Sequence, residues 1–416
     1  MRKIIIRRTK HISPFNEPAK KLNVLNTTLE EWQKTLLAPY TDNVIEVDDP
    51  LEAPRDNVPA LVVSDNLWFD EAFLKAFMAE AQKKGGPVRA AFSSRDVAYL
   101  QHGLRTLTRS YTSRGDIFYM DLWYFPTGLS EQVEPVVIPS DAVRTPYGKF
   151  PAGMPGRDRG GEFSWWVPQR MACVVDSWVH LFFINIVFGI FSQAGRLDQR
   201  KIKSAPGLAA LISGKGNTAA PYVQIGQNCS IDPTAILQGP VILGDNVTIG
   251  PGCVVTQAIL GDNVTLPHSN HVHMSVIGDH CAFMWGASSF FSVFMNGALI
   301  GQNSGLEFSL VGRGSMVGSG IDFSSSQLLP TSLKALLEDQ LVEIDMPLLG
   351  ACIGHNCRIG SGLVFYPART VESDVVLMAS ATRRVIAKHI SYEESDHHAL
   401  LGGEAHPRLY PRMDGM

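Results

Sequence analysis

The sequence predicts an α/β amino-terminal region followed by a parallel β-helix wound from a six-residue repeat. Three observations predict it. From Val223 to about Val371 aliphatic residues recur at every sixth position, as at Ile225, Ile231, Leu237, Leu243 and Ile249, and many are followed by glycine, as in IGQNCS, LGDNVT and IGHNCR. Longer periods superpose on this one: starts fall at Ile225, Leu243, Leu260, Ile277, Phe294 and Val311, a step of 18 once and 17 thereafter. Residues 1 to about 138 instead alternate apolar strand-like runs with helix-like ones.

The repeat carries the architecture. A six-residue strand and turn cannot bury its aliphatic residue alone, whereas stacked coils of three such units enclose a continuous core. Three faces per coil make a triangular prism. Asn228, Asn246, Asn263, Asn303 and Asn356 each sit three residues after an aliphatic start, where a sharp corner needs the left-handed backbone that asparagine tolerates.

In chain order, the KIIII-like first strand leads to a helix over TLEEWQKTLLAPY and a strand PALVVSD. A helix over FDEAFLKAFMAEAQKKGG follows, stopped by Gly85 and Gly86, and then a strand PVRAAFS. This alternation predicts a mostly parallel sheet covered on both faces. Residues 139–168, rich in proline and glycine, read as a linker without regular structure, with GMPGRDRGGE an exposed loop. Residues 169–222 form a hydrophobic helical connector. Its core, Met171 to Phe191, reaches the minimal length of a membrane span but carries Asp176, His180 and Asn185. A buried or interfacial helix is the expectation, with peripheral membrane contact left open. The β-helix occupies 223–380, interrupted at 324–347 by an insertion in which Leu333, Leu336, Leu337 and Leu341 fall on one helix face. Residues 381–416 are a polar, solvated tail that includes His397 and His398.

Composition narrows the classes. With 416 residues, 45% hydrophobic and 18% charged, the chain is globular and has more than one domain. A net charge of -4 leaves no basic footprint for nucleic acid. Six cysteines without paired spacing, among them Cys229, Cys253 and Cys281 inside the repeats, read as packed thiols of a reducing, cytoplasmic protein.

The histidines cluster in the repeat, at His268, His271 and His273, with His280 in the next coil. An imidazole serves as a general base near neutral pH or as a zinc ligand. Exposed corner residues are the plainer reading of the same spacing. Phe283, Met284, Trp285, Phe290, Phe291, Phe294 and Met295 crowd the middle coils. A narrow prism prefers smaller aliphatics inside, so some of these rings are expected to point outward into a subunit interface.

The repeat resembles the left-handed β-helix of the hexapeptide-repeat transferases. That resemblance implies the left-handed winding, a homotrimer, and an acyl donor such as acetyl-CoA or another acyl-CoA bound between neighbouring prisms. It also implies a histidine that deprotonates the acceptor. His273 is the first choice, standing just before the short step to Ile277, with His268 and His271 the other candidates. The stretch VHMSVIGDHCAFMWGA is similar to part of the gamma-class carbonic anhydrases, which hold zinc with three histidines. No histidine lies between His180 and His268 to supply the first ligand, so no metal site is assigned.

Two amino-terminal fragments resemble the sugar-phosphate nucleotidyltransferases. One is Pro14-Phe15-Asn16-Glu17-Pro18-Ala19-Lys20-Lys21-Leu22. The other is Leu61-Val62-Val63-Ser64-Asp65-Asn66-Leu67, whose Asp65 matches a metal-holding aspartate. Asp65 and Asn66 are therefore the candidate substrate-binding residues, the alternative being that Asp65 caps the following helix. The family's glycine-rich phosphate loop is missing, since no glycine precedes Gly85 and the first strand runs into Arg7-Arg8-Thr9-Lys10. The resemblance therefore implies a degenerate domain without nucleotidyl transfer. Together these readings imply an acyltransferase acting on a sugar phosphate or nucleotide sugar. The alternatives are a non-catalytic trimeric scaffold and, third, a zinc hydratase.

Overall fold

The structure, a computed structural model, describes residues 1–41, 43–49, 52–54, 56–100, 111–150, 161–190, 223–327, 331–337, 340–344, 346–400 and 405–413. Two compact units emerge. One comprises Met1–Ile12, Glu17–Val143 and Trp166–Leu181; the other comprises Ser13–Asn16, Arg144–Trp165 and Phe182–Met416.

The first unit is an α/β domain around a mixed sheet. Its strands are β1 (Arg2–Ile6), β2 (Asn43–Val47), β3 (Ala60–Ser64), β4 (Val88–Ser93), β5 (Thr112–Arg114), β6 (Ile117–Phe125) and β7 (Glu134–Val137). They lie in the order β7-β4-β6-β3-β1-β2, with β5 paired to β6. β6 runs antiparallel to both β3 and β4, so the expected parallel sheet is interrupted. Helix α1 (Leu29–Leu37) starts where the Thr28 hydroxyl accepts the Glu31 N–H, with Glu30 and Glu31 favouring the positive helix end. Helix α2 (Glu71–Lys84) buries Phe73, Leu74, Phe77, Met78 and Ala81 along one stripe. Gly85, at φ 70°, closes it in the left-handed conformation as expected. Lys3 and Ile5 line one cavity with Glu30, Gln33 and Lys34 of α1. Ile4 and Ile6 face the opposite way, and loop residues such as Ala53 and Leu129 close over them.

The second unit contains a left-handed β-helix of three parallel sheets, each eight strands deep. The coil step read from the sequence is its register. Ile225 pairs with Leu243, Leu243 with Leu260, Leu260 with Ile277, Ile277 with Phe294 and Phe294 with Val311. Val311 then pairs with Ile353 across the insertion. Asn228, Asn246, Asn263, Asn303 and Asn356 all have positive φ, between 52° and 58°. Gly250 shows why glycine follows the aliphatic residue: a Cβ there would lie 1.3 Å from the Pro267 carbonyl oxygen of the next coil.

Several expectations need correction. The insertion is no helix. Leu333–Leu337 and Gln340–Ile344 form an antiparallel hairpin. Leu333, Ala335 and Leu337 alternate inward, so a period of two outweighs the helical spacing. The stretch at 139–168 is not structureless, since Val143–Phe150 and Gly161–Val167 form a two-stranded sheet; residues 151–160 lie outside the described residues. In the connector, α3 (Trp178–Phe183) and a π-helical run Ile184–Ile190 are buried, and the latter packs beside Val276–Ile277. No described helix is long and apolar enough to cross a membrane. Asp176 precedes α3, and its N–H donates to His180 Nδ1 at 3.1 Å. Residues 191–222 lie outside the described residues.

The tail is solvated only in part: most of its described residues, His398 among them, are exposed, but some are packed. His397 is fully buried, its Nδ1 2.6 Å from the Ser395 hydroxyl. Arg412 pairs with the buried Glu372, and the Tyr410 N–H donates to Asp374 at 2.6 Å. The polar composition reflects side chains that satisfy one another across the last coils, a tertiary effect without local periodicity.

The aromatic cluster divides. Phe283 and Phe294 lie inside the prism core, their rings edge to face at 4.8 Å. Phe291 is buried against Phe308 at 4.8 Å and Trp165 at 5.1 Å. Met284 and Trp285 do point outward. Phe291 and Phe294 are therefore not free for a subunit interface, because their own chain already covers them.

Candidate functional site

The solenoid places its histidines by strand alternation. His271 and His273 flank the inward-facing Val272 in the strand His271–His273, so both project from the same outer face. His268 lies one turn earlier, exposed, its ring stacked 5.6 Å from Trp285. The structure thus brings His271 and His273 together on one sheet face and sets His268 apart. His280 occupies a corner at φ 59° and is exposed.

His273 is the distinctive member. It is half-buried and ends its strand directly before Met274, a corner residue at φ 47°. Its ring stacks on Phe290 at 5.2 Å and meets Phe291 edge-on at 6.1 Å. Burial pushes its pKa down to about 4. At neutral pH the ring is therefore unprotonated and carries the lone pair a base needs.

The coil register defines the rest of this face. Thr256, His273, Phe290 and Glu307 stack in one outer column, and Val254, His271, Ser288 and Gly305 in the next. The Glu307 carboxylate accepts the Ser325 hydroxyl at 2.7 Å. Reading of the histidines alone missed Ser288 and Glu307. The signal that finds them is the 17-residue step, which carries 271 to 288, and 273 to 290 and 307.

Three other described imidazoles, His180, His389 and His397, share a depressed pKa. Burial lowers His180, and it lowers His389 to about 4 beside the Arg369 guanidinium. An unfolded histidine takes up a proton near pH 6.5 that these native sites refuse. Their contribution to stability is complete above that pH and is lost progressively as pH falls toward 4. The urea midpoint of the full chain is expected to drop between pH 7.5 and pH 5, and His389→Gln to reduce the drop. A midpoint unchanged over that range would contradict the burial of these rings.

In the amino-terminal unit, Asp65 follows β3 in a turn. Its Oδ1 accepts the Arg8 N–H at 2.9 Å and its Oδ2 lies 3.3 Å from Lys20 Nζ. The two fragments that resemble nucleotidyltransferases therefore meet through Lys20 and Asp65, beside a cavity of about 240 Å3. Burial raises the Asp65 pKa against the pull of the Arg8 N–H and Lys20. Asn66 Oδ1 accepts the Ser64 hydroxyl at 2.7 Å. The capping alternative for Asp65 is corrected: Asp70 is the N-cap of α2, accepting the Phe73 N–H at 2.7 Å.

The turn after β1 is closed. The Arg7 N–H donates to the Val47 carbonyl at 2.9 Å and the Arg8 N–H to Asp65. A phosphate cradle needs such N–H groups free and a backbone open to close approach. Here both donors already have acceptors. Among the described residues no group of three His, Cys, Asp or Glu is placed to hold a metal ion.

Residues 222–257 match the family described as bacterial transferase hexapeptide (six repeats). No curated protein matches the chain. Among solved structures, the acetyltransferase domain of PglB from Neisseria gonorrhoeae FA1090 is similar at 13% identity in its complex with acetyl coenzyme A and at 14% without it. Each covers 41% of this chain and 63% of the solved one, at a TM-score of 0.20. The chain thus spans less than two thirds of the length of those solved chains.

Proposed function

We propose that this chain is a hexapeptide-repeat acyltransferase whose base is His273, with acetyl-CoA or another acyl-CoA as donor and a sugar phosphate or nucleotide sugar as acceptor. The observation that carries the reading is the state of His273: a half-buried, unprotonated imidazole at a coil corner, walled by Phe290 and Phe291. In this reading an acceptor hydroxyl or amine attacks the thioester carbonyl while His273 Nδ1 or Nε2 takes its proton. The carbon–sulfur bond breaks, and the proton passes from the imidazolium to the departing thiolate. His271 and Ser288, on the same face, are positioned to bind the acceptor, with His268 beside Trp285 as the outlying candidate. Asp65 and Asn66 are assigned to sugar-phosphate binding in the amino-terminal unit, which carries out no nucleotidyl transfer because the turn after β1 has no free phosphate cradle.

The reading includes a homotrimer. Its contact surfaces are outer positions such as Trp285 and Met316, 46% and 45% exposed, and not the buried rings of Phe291 and Phe294. The test is a titration of the full chain with acetyl-CoA, together with its mass by light scattering. Saturable binding by a species of three chains is the expected result. A trimer without binding favours the scaffold reading, and a monomer overturns the trimer that both readings require. Release of pyrophosphate from any nucleoside triphosphate with a sugar 1-phosphate would overturn the assignment of the amino-terminal unit.

A further inference from the structure

A second cavity in the amino-terminal unit takes no part in that reading. It holds about 510 Å3, within the range of about 300–1,000 Å3 usual for small-molecule sites. Its floor is the sheet face opposite α1. Ile4 and Ile6 of β1, Val62 of β3 and Phe125 of β6 are buried there, and half-buried Leu129 stands at the margin. Apolar side chains at this density favour an alkyl or aryl body over a sugar.

The polar groups converge on one charge sign. The lining carries two guanidinium groups, Arg89 and Arg114, against one carboxylate, Glu131. Arg89 is held rigidly. It lies over Trp123 at 4.6 Å and Tyr119 at 5.3 Å, its Nε donates to the Met120 carbonyl at 2.9 Å, and its Nη2 donates to Asp121 at 2.8 Å and Thr112 at 3.2 Å. Its Nη1 donates to no described acceptor. Asp121 is shared, since Arg8 Nη2 also donates to it at 2.6 Å, so one carboxylate answers two guanidinium groups. Arg114 is exposed at the cavity's edge and has no ion pair among the described residues. A guanidinium fixed in place with its Nη1 group free suits a carboxylate oxygen, because little freedom remains to be lost on binding.

We infer that this cavity is a binding site for an amphipathic monocarboxylate, its apolar body on the β1–β3–β6 floor and its carboxylate between Arg89 and Arg114. The inference is independent of the solenoid chemistry and stands if no acyl transfer is found.

The experiment is isothermal titration calorimetry of the full chain with octanoate, against octylamine and octanol as cationic and neutral bodies of the same length. Saturable binding of octanoate is expected, at least about tenfold tighter than octylamine, the scale of one charge-assisted hydrogen bond. Arg114→Gln, at an exposed position, should remove most of that preference. Leu129→Trp should block binding of octanoate and octanol alike by filling the entrance. Absence of saturable octanoate binding up to about 10 mM, equal binding of octylamine, or binding untouched by Leu129→Trp would each overturn the site.

Discussion

Replacing His273 with alanine is expected to lower acyl transfer at least about a hundredfold while leaving the assembled mass and Tm nearly unchanged. A positioned imidazole contributes roughly a hundred- to ten-thousand-fold to a step in which the nucleophile must lose a proton. The fold should tolerate the change. His273 lies on the outer face of its sheet, and its strand is aligned by backbone bonds to the coils on either side, with Thr256 and Phe290 as its column neighbours. The pH profile separates it from its neighbours. With its pKa down at about 4, the acid limb of kcat/KM should fall near that value. An unperturbed histidine would place the limb near pH 6.5. His268→Ala and His271→Ala should keep the acid limb where it is. Full activity in all three alanine variants would leave the scaffold reading ahead, and activity lost together with Tm would make His273 structural.

The legibility of this site in the sequence follows the legibility of the repeat. A β-helix converts residue number into position by constant addition, so the aliphatic column Ile225, Leu243, Leu260, Ile277 can be read before any coordinates exist. The same addition places His271 and His273 outside and Val272 inside. It fails where a side chain departs from the usual inward set. Phe283 and Phe294 fit inside because two rings in neighbouring coils meet edge to face, and volume complementarity of that kind has no sequence period. The insertion failed for a different reason. Leu333, Leu336, Leu337 and Leu341 suit both a helix and a hairpin, and over so short a run only pairing with a partner strand decides. In the amino-terminal unit β1, β3, β4 and helices α1 and α2 were visible from their apolar runs and the Gly85 stop, whereas β2, β5, β6 and β7 were not. Nor was the partnership of Lys20 with Asp65, because it joins residues 45 positions apart that only the sheet order brings together. The cavity under Trp123 was equally hidden, since it depends on β6 running antiparallel in the middle of the sheet.

Phe294→Asp is expected to abolish folding of the solenoid instead of dissociating an assembly. Phe294 is 1% exposed, lies within the prism core and pairs by register with Ile277 below and Val311 above. Truncating a buried phenylalanine costs about 3–5 kcal/mol. An unpaired carboxylate in the same place adds several kcal/mol more, because the narrow interior offers it no cation. The sum approaches the whole stability of an ordinary domain, about 5–15 kcal/mol. Solenoid coils also depend on their neighbours, so a failed coil removes the support of those on either side. Phe291→Asp should behave similarly, its ring being enclosed by Phe308 and Trp165. Trp285→Asp is the control: at 46% exposure it should leave the fold intact. Circular dichroism and limited proteolysis of residues 223–380 in the full-length variants would distinguish the outcomes. Folded, protease-resistant monomers of Phe294→Asp with the parent Tm would mean that this ring faces a partner subunit and that the inward packing described above is wrong.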